Sequence, residues 1–168
     1  MILTGSAIDS AVGEGQIVIT PYDQRQLNPN SYNYRLGRTL LVPRAAGDSI
    51  DIEYEELTIP ESGYRLEPGR TYLGHTYEIL GSDVFAMSLI GRSSIGRLGL
   101  FLQVSANLGH VGSCHRWTLE LVSAKPFILY PEMKIGQISF WHVDGHSNAY
   151  LSGYSQFNKP EISRLSKK

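Results

Sequence analysis

Seventeen glycines and eight prolines cut this 168-residue chain into short apolar runs, and after the first fifteen residues no segment sustains a helical period. Short apolar runs bounded by turn residues are the pattern of strands, whose side chains alternate between two faces and need few positions to cover one of them. The chain is therefore expected to be all-β. Candidate strands are IVIT (17–20), SYNYRL (31–36), TLLV (39–42), SIDIEYEEL (49–57), RTYLGHTYEIL (70–80) and VFAMSLI (84–90). LFLQVSA (100–106), RWTLELV (116–122), FILY (127–130) and GQISFWHV (136–143) follow, with turns such as PESG, EPGR and YPEM between runs. So many strands at short spacing point to a sandwich or jelly roll rather than a parallel sheet. Only the N-terminus departs from this. Thr4 is placed to cap a short helix through Gly13, with Ala7, Ile8 and Val12 on its inner face.

The length suits one domain over residues 1–168, in which about 147–168 form a C-terminal arm where the apolar pattern fades and a partner surface is needed for order. A formal charge of −1 gives no broad basic footprint, so nucleic acid is not an expected partner and a polyanionic ligand must be met by a local cluster. Cys114 is the only cysteine, which excludes an intrachain disulfide and fits a reducing cytoplasm. No signal-like leader and no run near the ~20 apolar residues of a membrane span are present, so a cytoplasmic protein without a membrane partner is expected.

Two segments concentrate chemistry. GRSSIGRLGL (91–100) has two readings: a serine-capped turn with two surface arginines, or a phosphate cradle of Gly91, Arg92, Ser93, Ser94 and Arg97. In RWTLELV, alternation puts Trp117, Leu119 and Leu121 on one face and Arg116, Thr118, Glu120 and Val122 on the other. Glu120 is the only acid between Asp83 and Tyr130. It is either solvated or, if enclosed, in need of a cationic partner, for which Arg97 is a candidate. The H-x-E and P-C-x-x-C signature of zinc deaminases is absent. HVGSCH offers His110, Cys114 and His115, but neighbours on a strand face opposite ways and no further ligand is near, so no metal site and no zinc are expected. His75, His142 and His146 carry no ligand spacing and read as ordinary surface or core residues.

LNPNSYNYRLG (27–37), LEPGRTYLGHTYE (66–78), GRSSIGRLGL, TLEL (118–121), LYPEMKIGQISF (129–140) and, more faintly, the SR at 163–164 together resemble the dCTP deaminases, relatives of the trimeric dUTP pyrophosphatases. The resemblance runs nearly end to end. It implies a distorted jelly-roll β-barrel of the dUTP pyrophosphatase type, assembled as a homotrimer with active sites at subunit boundaries. It also implies hydrolysis of the cytosine amino group, most simply dCTP to dUTP and ammonia, without a catalytic metal. Glu120 inherits the role of general base and proton shuttle; Arg97 keeps it ionised, Ser93 hydrogen-bonds it or the attacking water, and Ala106 leaves room for water and base. Arg92, Ser94, Gly96, His110, Trp117, Thr118, Tyr154 and Gln156 become substrate-binding candidates, with Mg2+ accompanying the phosphates.

Departures from the family qualify this. His110 stands where relatives carry an aspartate that meets the sugar and that dUTP pyrophosphatases use in their chemistry. Gln103 replaces a frequent histidine, and Asn107 and Leu108 replace a more polar pair. GYSQFNKP keeps Tyr154 but has Gly153 for a lysine, so Gln156 needs a one-residue shift and Lys159 or Arg164 must supply charge. A ribo-, mono- or modified cytosine nucleotide remains open as substrate. So do two alternatives: a nucleoside triphosphate pyrophosphatase, alone or bifunctional, and a non-catalytic nucleotide-binding relative.

Overall fold

The computed structural model describes residues 1–44, 52–102, 105–145 and 157–164. Helix α1 (Gly5–Gly13) opens the chain, and a 3-10 turn (Gln24–Gln26) and the one-turn α2 (Ser93–Gly96) are the other helical pieces among these residues. The strands are β1 (Ile17–Thr20), β2 (Leu27–Asn28), β3 (Ser31–Arg35), β4 (Thr39–Pro43), β5 (Tyr54–Thr58), β6 (Tyr64–Leu66), β7 (Thr71–His75) and β8 (Ile79–Ser82). They continue as β9 (Ala86–Gly91), β10 (Leu100–Leu102), β11 (Leu108–Gly109), β12 (Cys114–His115), β13 (Thr118–Ser123), β14 (Phe127–Leu129) and β15 (Lys134–Trp141). The all-β expectation holds. No helix among the described residues is long and apolar enough to cross a membrane.

Two five-stranded antiparallel sheets, ordered β10-β13-β7-β4-β5 and β11-β9-β15-β3-β2, supply most of the architecture. A three-stranded sheet, β1-β8-β12, and the pair β14-β6 complete it. The inner faces of the large sheets meet in one core. Leu119 and Leu121 of β13, Tyr72 of β7 and Leu40 of β4 pack in the same cluster as Met87 and Leu89 of β9, Ile138 and Phe140 of β15, and Tyr32 and Tyr34 of β3. Alternation gives β9 and β13 one buried face each, whereas β3 and β7 are buried on both.

Helix α1 begins as its cap requires: Thr4 Oγ1 accepts from the Ala7 N–H at 3.3 Å. Ile8 and Ala11 are buried, and Ala7 and Val12 pack on the core beside them, so the inner face is one residue wider than the sequence indicates. A larger difference concerns residues 70–80, which read as one strand and fold as two, β7 and β8, in different sheets. The break is chemical. Glu78 is fully buried, and its carboxylate takes bonds from the Arg35 backbone N–H at 2.9 Å and the Arg35 Nε–H at 2.7 Å. A buried acid demands such a partner, and Thr76 turns the chain toward it, its hydroxyl donating to the Glu78 carbonyl at 2.7 Å.

Candidate active site

Strand β13 lies between β10 and β7, with Glu120 opposite Leu73 in register. Its alternation buries Leu119, Leu121 and Ser123 and turns Thr118, Glu120 and Val122 outward, as expected of TLEL. The outward face is not open surface. It forms one wall of a cavity of about 410 Å³, inside the usual range for small-molecule sites. Ala106, His110, Trp117, Thr118 and Glu120, all singled out in the sequence, line this cavity together. Glu120 is half-buried there, and the Ser105 hydroxyl donates to its carboxylate at 3.4 Å.

The adjoining wall comes from residues 110–117. Gly112 has a φ of 89°, a left-handed turn natural to glycine, and its N–H reaches the Ser82 carbonyl at 2.8 Å. The turn leads into β12, which pairs antiparallel with β8. Cys114 faces outward while His115 is buried against Trp117, ring centroids 4.3 Å apart. HVGSCH therefore presents a surface thiol and an aromatic stack, and no group of three His, Cys, Asp or Glu is gathered for a metal among the described residues. Trp117 precedes the strand, which starts at Thr118, and it packs on the core that holds Leu119 and Leu121 while also lining the cavity. Its N–H reaches Thr76 Oγ1 and its indole Nε1–H the Leu80 carbonyl, both at 2.9 Å. A Cβ at Gly109 would come within 2.9 Å of this indole, so β11 can pass the ring only as glycine.

The third wall comes from residues 157–164, the described part of the expected arm. Residues 157–164 seat on their own chain. The Arg116 N–H donates to Asn158 Oδ1 and the Glu161 N–H to Thr118 Oγ1, both at 3.1 Å. Glu161, Ile162 and Ser163 thereby line the Glu120 cavity. Lys159 pairs with Glu56 at 3.3 Å, and Arg164 lies over the Phe157 ring and 3.7 Å from Glu161, so both cations have partners within the chain. Tyr154, Gln156 and Gln103 lie outside the described residues.

GRSSIGRLGL builds a separate place. β9 ends at Gly91 and Arg92 caps α2, its carbonyl accepting from the Ile95 and Gly96 N–H groups at 3.0 and 2.9 Å. Buried Ile95 anchors the turn. Arg92, Ser93 and Gly96 line a second cavity of about 450 Å³ with Ile90, Phe101 and Asn107. Ala106 and Asn107, adjacent in sequence, look into different cavities. Ser94 and Arg97 are exposed and line neither, and Arg97 forms no ion pair with Glu120 within one chain among the described residues.

The profile of a family described as dCTP deaminase-like matches residues 2–143. The chain belongs to that family. A "dCTP deaminase, dUMP-forming" of Cytophaga hutchinsonii is 45% identical over 163 residues, covering 95% of this chain and 92% of the relative. One of Clostridium botulinum (strain Alaska E43 / Type E3) with the same description is 43% identical over 162 residues, covering 94% and 92%. A dCTP deaminase of Rhodopirellula baltica is 45% identical over 152 residues, covering 88% and 75%. Among solved structures, the 2'-deoxycytidine 5'-triphosphate deaminase from Agrobacterium tumefaciens aligns with a TM-score of 0.66 at 22% identity, a likeness of fold. The alignment covers 83% of this chain and 47% of that one, so this chain spans about half of its length.

For a member of the dCTP deaminase-like family, the cavity holds residues that sequence reasoning passed over. Ser113, His115 and Glu161 line it, yet HVGSCH drew notice only for ligand spacing, and the tail only for its charges. For Ser113 and His115 the available signal was the density of polar residues within ten positions of Glu120; Glu161, distant in sequence, carried none. His75 and His115 both have their proton affinity lowered, chiefly by burial, against the raising effect of hydrogen bonds to backbone carbonyls.

Proposed function

We propose that the chain deaminates a cytosine deoxynucleotide, dCTP in the simplest case, with Glu120 carrying the protons. One observation carries the reading: the carboxylate of Glu120 stands on a strand fixed by the core and faces a ligand-sized cavity beside the small Ala106, in a dCTP deaminase-like chain. Glu120 takes a proton from water as the oxygen attacks C4 of the base, and delivers it to N3. It then takes the remaining proton of the new hydroxyl and passes it to the amino group. C4–N breaks, ammonia leaves, and the C4 carbonyl of uracil forms, so cytosine and water balance uracil and ammonia.

On this reading a second copy of the chain supplies Ser93 and Arg97 to Glu120, and Arg92, Ser94 and Gly96 to the phosphates, in a homotrimer. What supports it is that Glu120 and Arg92 line separate cavities in one chain while Arg97 lines neither, and that Ile90 (54% exposed), Phe101 (46%) and Leu108 (61%) form an apolar rim near the second cavity. Mg2+ on the triphosphate offsets its charge, and neither it nor zinc enters the deamination step.

A second reading, coupled pyrophosphate release to give dUMP, is favoured by the descriptions of relatives at 43–45% identity. His110, in the position of the family's aspartate, weighs against it. Incubation with dCTP and Mg2+, with chromatography of the products, separates them: ammonia with dUTP supports deamination alone, ammonia with dUMP and pyrophosphate the coupled reaction. Absence of ammonia from dCTP, CTP, dCMP and their 5-substituted forms overturns the proposal.

A further inference from the structure

Two histidines are buried near the start of β13, and their hydrogen bonds differ in one respect. His75, 8% exposed, has both ring nitrogens engaged: Nδ1 lies 2.8 Å from the Thr76 carbonyl, and Nε2 accepts from the Thr39 N–H at 3.4 Å. A carbonyl only accepts, so the proton sits on Nδ1 and the residue is fully used in holding the sheet. His115, 4% exposed, has two carbonyls on its Nδ1, that of Arg116 at 2.9 Å and that of Phe157 at 3.2 Å. The proton again sits on Nδ1, and Nε2 carries a lone pair. Here the likeness ends. Nε2 of His115 has no partner among the described residues, and His115 lines the Glu120 cavity.

Nε2 is not sealed in the wall, so a donor on a molecule filling the cavity can reach it. Burial holds the ring in its neutral form, which keeps Nε2 an acceptor near neutral pH. The indole of Trp117, 4.3 Å away, and the two carbonyls on Nδ1 fix the ring plane, so the lone pair is preset. A deoxynucleoside triphosphate brings few donors to such a site: the 4-amino group of the base, which belongs at Glu120 on the reading above, and one free sugar hydroxyl, at 3′.

We propose that His115 Nε2 accepts a hydrogen bond from the 3′-hydroxyl of the bound nucleotide and is thereby a specificity-determining residue of the site. The inference rests on the nucleotide reading of the cavity. It moves recognition of the sugar to a buried, oriented ring, whereas His110 is exposed at the same cavity.

The test compares dCTP with 2′,3′-dideoxy-CTP by calorimetry in Mg2+, on a Glu120→Gln background that blocks turnover. With His115 in place, dCTP should bind roughly three- to tenfold more tightly, the effect of one neutral hydrogen bond. In His115→Asn, whose side-chain amide still donates toward the two carbonyls but leaves nothing at Nε2, the ratio should fall to about one. His115→Phe, which keeps the stack on Trp117, should give the same loss and serves if the asparagine variant does not fold. A ratio near one with His115 present overturns the inference without any variant. So does a fall in both affinities at constant ratio, which assigns His115 to structure alone. Ammonia production with a ratio that ignores residue 115 leaves deamination standing and removes this proposal. A ratio that depends on residue 115 without any ammonia from the native protein does the reverse.

Discussion

The two cavities of this chain are built by different means. The one around Glu120 is walled by β13 and β7, whose inner residues Leu119, Leu121 and Tyr72 are buried in the core, and it is closed by backbone-mediated bonds from residues 158 and 161. The one beside Arg92 and Ser93 rests on a single helical turn pinned by Ile95, with the half-exposed Ile90 and Phe101 at its rim. Among the described residues the first has two acids, Glu120 and Glu161, and no arginine in its wall, and the second has an arginine and no acid. A proton carrier needs a fixed position, which a central strand provides. A guanidinium meeting phosphates needs reach, and a turn on an apolar edge gives it. On the proposed reading the two are halves of one site contributed by different copies.

That contrast can be broken at several points. Glu120→Gln should lower ammonia release by at least about a hundredfold while nucleotide affinity measured by calorimetry changes little, because the amide cannot carry a proton. Loss of binding and turnover together would instead make Glu120 a binding residue. Phe101→Asp should dissociate the proposed assembly in ultracentrifugation, lower activity with it, and leave the chain folded, since the residue is half-exposed. An unchanged sedimentation coefficient with full activity would separate the apolar rim from the site. Leu121→Ala should cost about 2–5 kcal/mol in urea denaturation, against less than about 1 kcal/mol for Val122→Ala on the outer face of the same strand. Equal costs would mean that β13 does not owe its rigidity to the core.

The smallest effect concerns acid. His75 and His115 both have folded-state affinities for the proton lowered by burial, below the ordinary histidine value of 6.5 that the unfolded chain retains. Above pH 6.5 both states are neutral and the histidines add no pH dependence; as pH falls below it, the unfolded chain binds protons first and stability is lost until the folded values are passed. The urea midpoint should therefore drop between pH 7 and about 5, and the drop should shrink in His115→Phe. A midpoint that is flat across that window contradicts the burial of the two rings.

Much of the Glu120 cavity was legible because strand alternation is a local property: TLEL dictates that Leu119 and Leu121 go inward and Glu120 outward wherever the strand is placed. Trp117 packs on the core as the rule expects, but its bonds to the Leu80 carbonyl and the Thr76 hydroxyl, partners distant in sequence, are not legible in alternation. Residues 70–80 looked like one strand because nothing in hydropathy announces that Glu78 will be buried against Arg35. The seat of residues 157–164 is illegible for a related reason. An apolar pattern predicts burial, but residues 157–164 are held by hydrogen bonds to residues 115, 116 and 118, which leave no trace in hydropathy. The joint reading of the arginines with Glu120 came from family resemblance, and geometry within one chain does not bring them into one cavity.

Complementation between copies tests this account most directly. Glu120→Gln and Arg97→Ala, each inactive alone, are co-expressed with different tags and the mixed assembly is purified through both. If each site joins Glu120 of one copy to Arg97 of the next, every mixed trimer holds one intact site in three and should recover about a third of native ammonia production per site. Mixed assemblies no more active than either variant alone would contradict a site shared between copies.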